Sequence, residues 1–109
     1  MSKLIFTDTK KYNELLKVSN PDKVIQNAKK YFNDPNIEIY LSPSKNKKYM
    51  IFTDNYRKKH FGDIRWADFT ITDDMDRRTR YLNRAANIPG NWRDDKYSPN
   101  NLSINLLWQ

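Results

Sequence analysis

Apolar positions along the chain change period several times, and each change marks an element. Val24, Ile25, Ala28, Tyr31 and Phe32 recur at i, i+1, i+4, i+7 and i+8, one buried face of a helix running to about Asn33. Asn20 is placed to cap it, Pro21 suits its first position, and Asp22 favours the positive end of its dipole. A shorter helix, about Thr9 to Val18, is expected before it, capped by Thr7 or Asp8, with Tyr12, Leu15 and Leu16 on one side. Residues Ser2 to Thr7 are expected to form a leading strand or an extended arm.

After the turn at Asp34-Pro35-Asn36 the period falls to two. Ile37, Ile39 and Leu41 point one way, and Glu38 and Tyr40 the other. A second strand, Lys48 to Thr53, sets Tyr49, Ile51 and Thr53 against Met50 and Phe52. A third is expected from Arg57 to Phe61. The short connections predict an antiparallel meander. Residues from Asp63 to Thr70 read as a loop carrying Trp66 and Phe69. Helical period returns after Thr72, Asp73 or Asp74, any of which can cap a helix to about Asn87. Met75, Thr79, Leu82 and Ala86 form its expected inward stripe. Pro89-Gly90 stops it, and Ser98-Pro99 starts a last short helix with Leu102, Leu106 and Leu107 on one side and Trp108 at its end. The predicted fold class is α+β: two N-terminal helices, a small antiparallel sheet of about three strands, and a basic helix and a C-terminal helix packed on it. The 109 residues are read as one domain, with residues 1–36 a helical lead-in and 37–109 the remainder.

Charge adds a partner to this outline. Twenty lysines and arginines face thirteen acids, a formal net charge of +7, which favours a polyanion. A soluble domain from a lysine- and asparagine-rich genome would show the same balance. The chain has no cysteine, which excludes disulfides and thiolate chemistry, and a single histidine makes an ordinary zinc site unexpected. No apolar run reaches the length of a membrane span, and the N-terminus has no secretory pattern. No cofactor, metal or membrane partner is expected.

The strongest candidate chemistry lies between His60 and Arg84. Arg77, Arg80 and Arg84 fall at i, i+3 and i+7, so their guanidinium groups can span successive phosphates, with Tyr81 beside them to stack on a base or sugar. Arg57, Lys58 and Lys59 are a second basic candidate on the third strand. Competing readings exist for both. Asp73, Asp74 and Asp76 stand four residues before Arg77, Arg78 and Arg80 and would neutralise them as helical ion pairs. Lysine on an edge strand also guards against aggregation. His60 is the only candidate general base and has no nucleophile pattern around it; a metal site of His60, Asp63 and Asp68 matches no recognisable spacing. No catalytic residue is assigned. Trp92, Leu106, Leu107 and Trp108 are the candidate protein-docking residues, with core anchoring the other role open to the tryptophans.

The run His60-Phe61-Gly62, Asp68-Phe69-Thr70, Asp76-Arg77-Arg78, Arg80-Tyr81-Leu82 and Arg84, followed by Asn91-Trp92 and Leu106-Leu107-Trp108, resembles a family of small uncharacterised viral proteins of tailed bacteriophages and large DNA viruses. The resemblance covers about Lys47 to Trp108. Members often carry a histidine where this chain has Thr72 and another where it has Ala85. The resemblance implies a viral origin. With the basic charge, it leads to the expectation of a non-enzymatic structural protein in the virion interior, capsid-lining or inner-core, made in the host cytoplasm and present in many copies. Such a protein would bind packaged DNA electrostatically and dock on capsid or portal protein. The alternatives are an early viral DNA-processing enzyme or nuclease accessory built on His60 and the nearby aspartates, and a host-takeover protein that docks through its tryptophans.

Overall fold

The computed structural model describes residues 3–109; Ser2, the first residue of the expected leading arm, lies outside them. The fold is α+β. Helices α1 (Thr9–Leu15) and α2 (Pro21–Phe32) precede the strands β1 (Tyr40–Leu41), β2 (Lys47–Phe52) and β3 (Lys58–Asp63). Helices α3 (Phe69–Thr72), α4 (Met75–Ala86) and α5 (Pro99–Leu102) follow. A 3-10 turn at Trp92–Asp94 lies before α5, and α5 runs on as a π-helical turn, Ser103–Leu107.

The caps explain the helix ends. The side chain of Asp8 accepts from the Lys11 N–H at 3.0 Å, and that of Asn20 from the Lys23 N–H at 3.3 Å, with Pro21 in the first turn. Helix α2 ends on Asn33, whose φ of 50° lies in the left-handed region that asparagine tolerates. Asp74 caps α4 through the Arg77 N–H at 3.1 Å, and Asp76 and Arg84 stand at the ends of the dipole they complement. Asp73 has another place: it terminates α3 with a φ of 54°.

The sheet is antiparallel, in the order β1-β2-β3, with Tyr40 opposite Met50, Tyr49 opposite Phe61 and Lys47 opposite Asp63. The leading segment adds a parallel bridge from Ile5 to Tyr40. One core joins the lead-in to the rest. Leu15, Val24, Ile25 and Ala28 pack in the same cluster as Ile39, Tyr49, Ile51 and Phe61 and as Leu102, Leu106, Leu107 and Trp108. The C-terminal helix lies between α2 and β3, and the Asn27 side-chain amide donates to the Leu106 carbonyl at 3.0 Å. The strand β2 is buried at Lys48, Tyr49, Met50 and Ile51, so both of its faces are covered.

The expected inward stripe of α4 is rotated. Met75 is 58% exposed, and Thr79 and Ala86 are exposed too. The covered side is Arg77, Arg78, Tyr81, Leu82 and Ala85. Tyr81 stacks on Trp108 with ring centroids 4.1 Å apart and planes 9° from parallel, and the Arg78 Nε donates to the Trp108 carbonyl at 2.7 Å. Arg78 also lies over the Phe69 ring at 5.4 Å. A guanidinium covers aromatic faces while its N–H groups find acceptors, so arginine takes an inward position that hydropathy alone assigns to methionine.

Candidate nucleic-acid interface

A cleft of about 560 Å³ opens between α4, the Gly62 end of the hairpin, the loop after β3 and the C-terminal segment. One wall is α4, which contributes Arg77, Arg80, Tyr81 and Arg84. The hairpin contributes Lys47, Lys48, Gly62 and Asp63. The loop after β3 contributes Trp66, Ala67 and Asp68, and the C-terminal segment Ser103, Leu107 and Trp108. Five cationic side chains thus share the cleft with two carboxylates. Both carboxylates are already engaged. Asp68 Oδ2 accepts from Lys48 Nζ at 2.9 Å with both side chains buried, and Asp63 takes a two-pronged contact from Arg65, at 2.9 Å from Nε and 2.7 Å from an η-nitrogen. The Arg65 fork holds the Asp63 carboxyl down at about 2. Among the described residues no carboxylate lies within ion-pair distance of Arg77, Arg80, Arg84 or Lys47. The helical pairs open to Asp73, Asp74 and Asp76 are therefore not formed. Asp74 spends its carboxylate on the helix cap instead.

The cleft's shape depends on two local features. Gly62 sits at φ +79°, where a side chain is strained, and a β-carbon there would stand 2.9 Å from Leu107 Cδ1 and 3.2 Å from Lys48 Cβ. The second is a buried polar joint. Asp68 caps α3, accepting from the Thr70 N–H at 2.9 Å and from the Thr70 hydroxyl. Thr70 Oγ1 accepts from the Asn20 N–H at 2.9 Å, and Ser19 Oγ lies 3.3 Å from Thr70 Oγ1 and 2.6 Å from the Tyr49 hydroxyl. The α1–α2 junction, β2 and α3 are tied together at this point. Burial pushes the Lys48 ammonium below its ordinary value, against the opposing pull of the Asp68 carboxylate. Burial also pushes the Tyr49 phenol well up, so it stays protonated and available to donate.

The expected phosphate-binding residues divide into two groups. Arg77, Arg80, Tyr81 and Arg84 come together in the cleft. Tyr81 has one ring face covered by Trp108, which limits it as a stacking platform. Arg57, Lys58 and Lys59 lie elsewhere. Arg57 just precedes β3 and Lys58 and Lys59 open it, and Lys58 is about 17 Å along the strand from Asp63 at roughly 3.4 Å per residue. Strand β3 is the last strand of the sheet, where lysines also blunt an edge.

The docking expectation needs correction. Leu106 is fully buried, Leu107 is 2% and Trp108 6% exposed, all within the chain's own core, so they offer no surface to another protein. Trp92 is half-buried on its own turn, its Nε1 donating to the Ile88 carbonyl at 2.7 Å with Arg93 over the ring at 4.3 Å. The exposed tryptophan is Trp66, at 63%. Sequence patterning did not mark Lys47, Lys48 or Trp66 for the site, because strand alternation does not reveal which cations reach the mouth of a cleft built 30 residues later.

His60, Asp63 and Asp68 are also separated by their partners. Asp68 is held by Lys48 and Thr70, Asp63 by Arg65, and His60 Nδ1 lies 2.7 Å from Ser42 Oγ. Among the described residues no group of three histidine or acidic side chains could hold a metal ion. Ser42 Oγ also accepts from the Ser44 N–H at 3.0 Å, which holds the hydroxyl in place beside the imidazole. Burial lowers the His60 pKa below 6.5, and Lys58, Lys11 and Lys47 lower it further. The unfolded chain then takes up this proton first as pH falls. Stability is full above pH 6.5 and is lost as pH falls through the folded value. An NMR titration of His60 is expected to give a midpoint below 6.5, and His60→Gln to flatten stability across that window. A midpoint at or above 6.5 contradicts the burial of His60 among these lysines.

Comparison with known proteins adds one finding. The model of a family of unknown function (DUF5754) matches residues 37–85. That segment runs from just before β1 into the last turn of α4 and holds every cleft residue except Ser103, Leu107 and Trp108. No curated protein and no solved structure matches the chain.

Proposed function

We propose that this is a non-enzymatic nucleic-acid-binding protein that neutralises backbone phosphates in the α4 cleft without reading base sequence. The observation that carries this reading is the convergence of Arg77, Arg80, Arg84 and Lys47 on one concavity in which both carboxylates are already engaged. Cations left without acidic partners in a concave site focus a positive field, and arginine forks suit phosphate oxygens. Phosphate contact of this kind positions a protein on nucleic acid without specifying sequence. The resemblance of the His60-to-Trp108 motifs to small viral proteins extends the reading. The protein is then an internal virion component, in many copies, with packaged DNA as its polyanion and a capsid or portal protein as its neighbour.

Binding is tested by measuring oligonucleotide affinity against salt. One phosphate contact from each of the four cations gives log K against log salt a slope of about −3 to −4, from roughly −0.7 per contact on a single strand to −0.9 on a duplex. Unrelated sequences of equal length are expected to bind equally. A salt-independent affinity, or none, overturns the reading. Peptide mass spectrometry of purified virions tests the second half: many copies relative to the major capsid protein are expected, and absence from particles removes the virion role.

A further inference from the structure

The cleft is concave, and one of the aromatic rings that line it is exposed. Trp66 is 63% accessible and lines the same cleft as Arg77, Arg80 and Arg84. A free indole on a loop loses the stabilisation of burial, unlike Trp108, whose ring is sealed against Tyr81. The volume of about 560 Å³ lies in the range of small-molecule sites. A volume of this size is too small to enclose a duplex, whose major groove alone is about 12 Å across and whose bases are stacked inside the rod. A nucleotide with an unpaired base presents a different shape. Its phosphate can meet the arginines while its base lies on an aromatic ring.

Resting on the phosphate-binding reading above, we propose that the cleft takes an unpaired nucleotide, in a single strand, an overhang or a nick, with its phosphate on Arg80 and Arg84 and its base stacked on Trp66. Duplex DNA then meets only the outer arginines. Any base can stack, so the preference is for strand state and leaves sequence unread.

Fluorescence anisotropy at one salt concentration, on the full chain, tests this with three probes: a labelled single strand, the blunt duplex of the same sequence, and a strand of the same length made of abasic units. The single strand is expected to bind about tenfold more tightly than either of the others. Trp66→Ala is expected to remove about tenfold of the single-strand affinity, the scale of one lost base–aromatic stack, and to leave duplex and abasic binding unchanged. Trp66→Phe is expected to retain most of it. Trp66 is exposed, so neither variant opens a cavity in the core. Equal affinity for single strand and duplex, or a Trp66→Ala variant that binds like wild type, overturns this inference and leaves phosphate binding standing. Absence of binding to all three probes overturns both.

Discussion

Replacing Asp68 by alanine is expected to cost about 3–5 kcal/mol of folding stability, the loss typical of breaking a buried ion pair. The change strands the Lys48 ammonium, whose side chain is 2% exposed, without its carboxylate. It also uncaps α3 and leaves the Thr70 N–H and hydroxyl without their acceptor. Each is a buried polar group left unsatisfied, so the costs fall in one direction. A small domain has about 5–15 kcal/mol in total, so the variant keeps little margin, and its Tm should fall by roughly 20 °C. The pair itself is not expected to be worth that much. Lys48→Met with Asp68→Asn removes both charges and keeps an acceptor for the Thr70 N–H, and this double variant should recover more than half of the loss. Urea denaturation of the three proteins checks both statements. A single-variant loss under about 1 kcal/mol contradicts the burial of the joint.

Trp108→Ala should be nearly as damaging, at about 3–5 kcal/mol, the usual cost of truncating a buried tryptophan. Trp108 is 6% exposed and covers Tyr81 at 4.1 Å, and Arg77 lies over its ring at 5.6 Å. Without the indole, α4 loses the Tyr81 stack on the C-terminal segment, and Arg77 loses the face it rests on. Stability and oligonucleotide affinity should therefore fall together. Trp108→Phe keeps a ring against Tyr81 and should cost less than half as much. If Trp108 were instead a docking residue on the surface, Trp108→Ala would leave the thermal transition in place and affect only association with a partner. Thermal unfolding by circular dichroism separates these outcomes.

The elements that were legible in the sequence are those whose signals are local. Helix α2 carries its cap, its proline and its apolar spacing within a dozen residues, and it forms at Pro21–Phe32. The meander was readable because Ile39 and Leu41, then Tyr49 and Ile51, alternate between turns of asparagine, aspartate and proline. The missed features are long-range. Lys48 begins the expected strand with nothing local to mark it as buried, and its burial goes with an aspartate 20 residues away that also caps α3. The inward face of α4 was misassigned because Arg78 is satisfied by a carbonyl 30 residues on. Helix α3, four residues long, has no apolar period of its own and is held by its cap. Half of the candidate site was legible. Helical spacing is enough to align Arg77, Arg80 and Arg84, whereas Lys47 and Trp66 join them only through the fold.

The proposed nucleic-acid interface is the α4 cleft and not the lysine-rich edge of β3. The most direct test compares salt slopes of oligonucleotide binding for two neutralised triples, Lys47→Gln/Arg80→Gln/Arg84→Gln and Arg57→Gln/Lys58→Gln/Lys59→Gln. All six positions are exposed or half-buried, so both proteins should fold. Losing three phosphate contacts should flatten the single-strand slope by about 2 in the cleft variant. The edge variant should keep a near wild-type slope and lose only a little affinity through net charge. The opposite pattern, a flattened slope in the edge variant with the cleft variant unchanged, would place the interface on β3 and contradict the account.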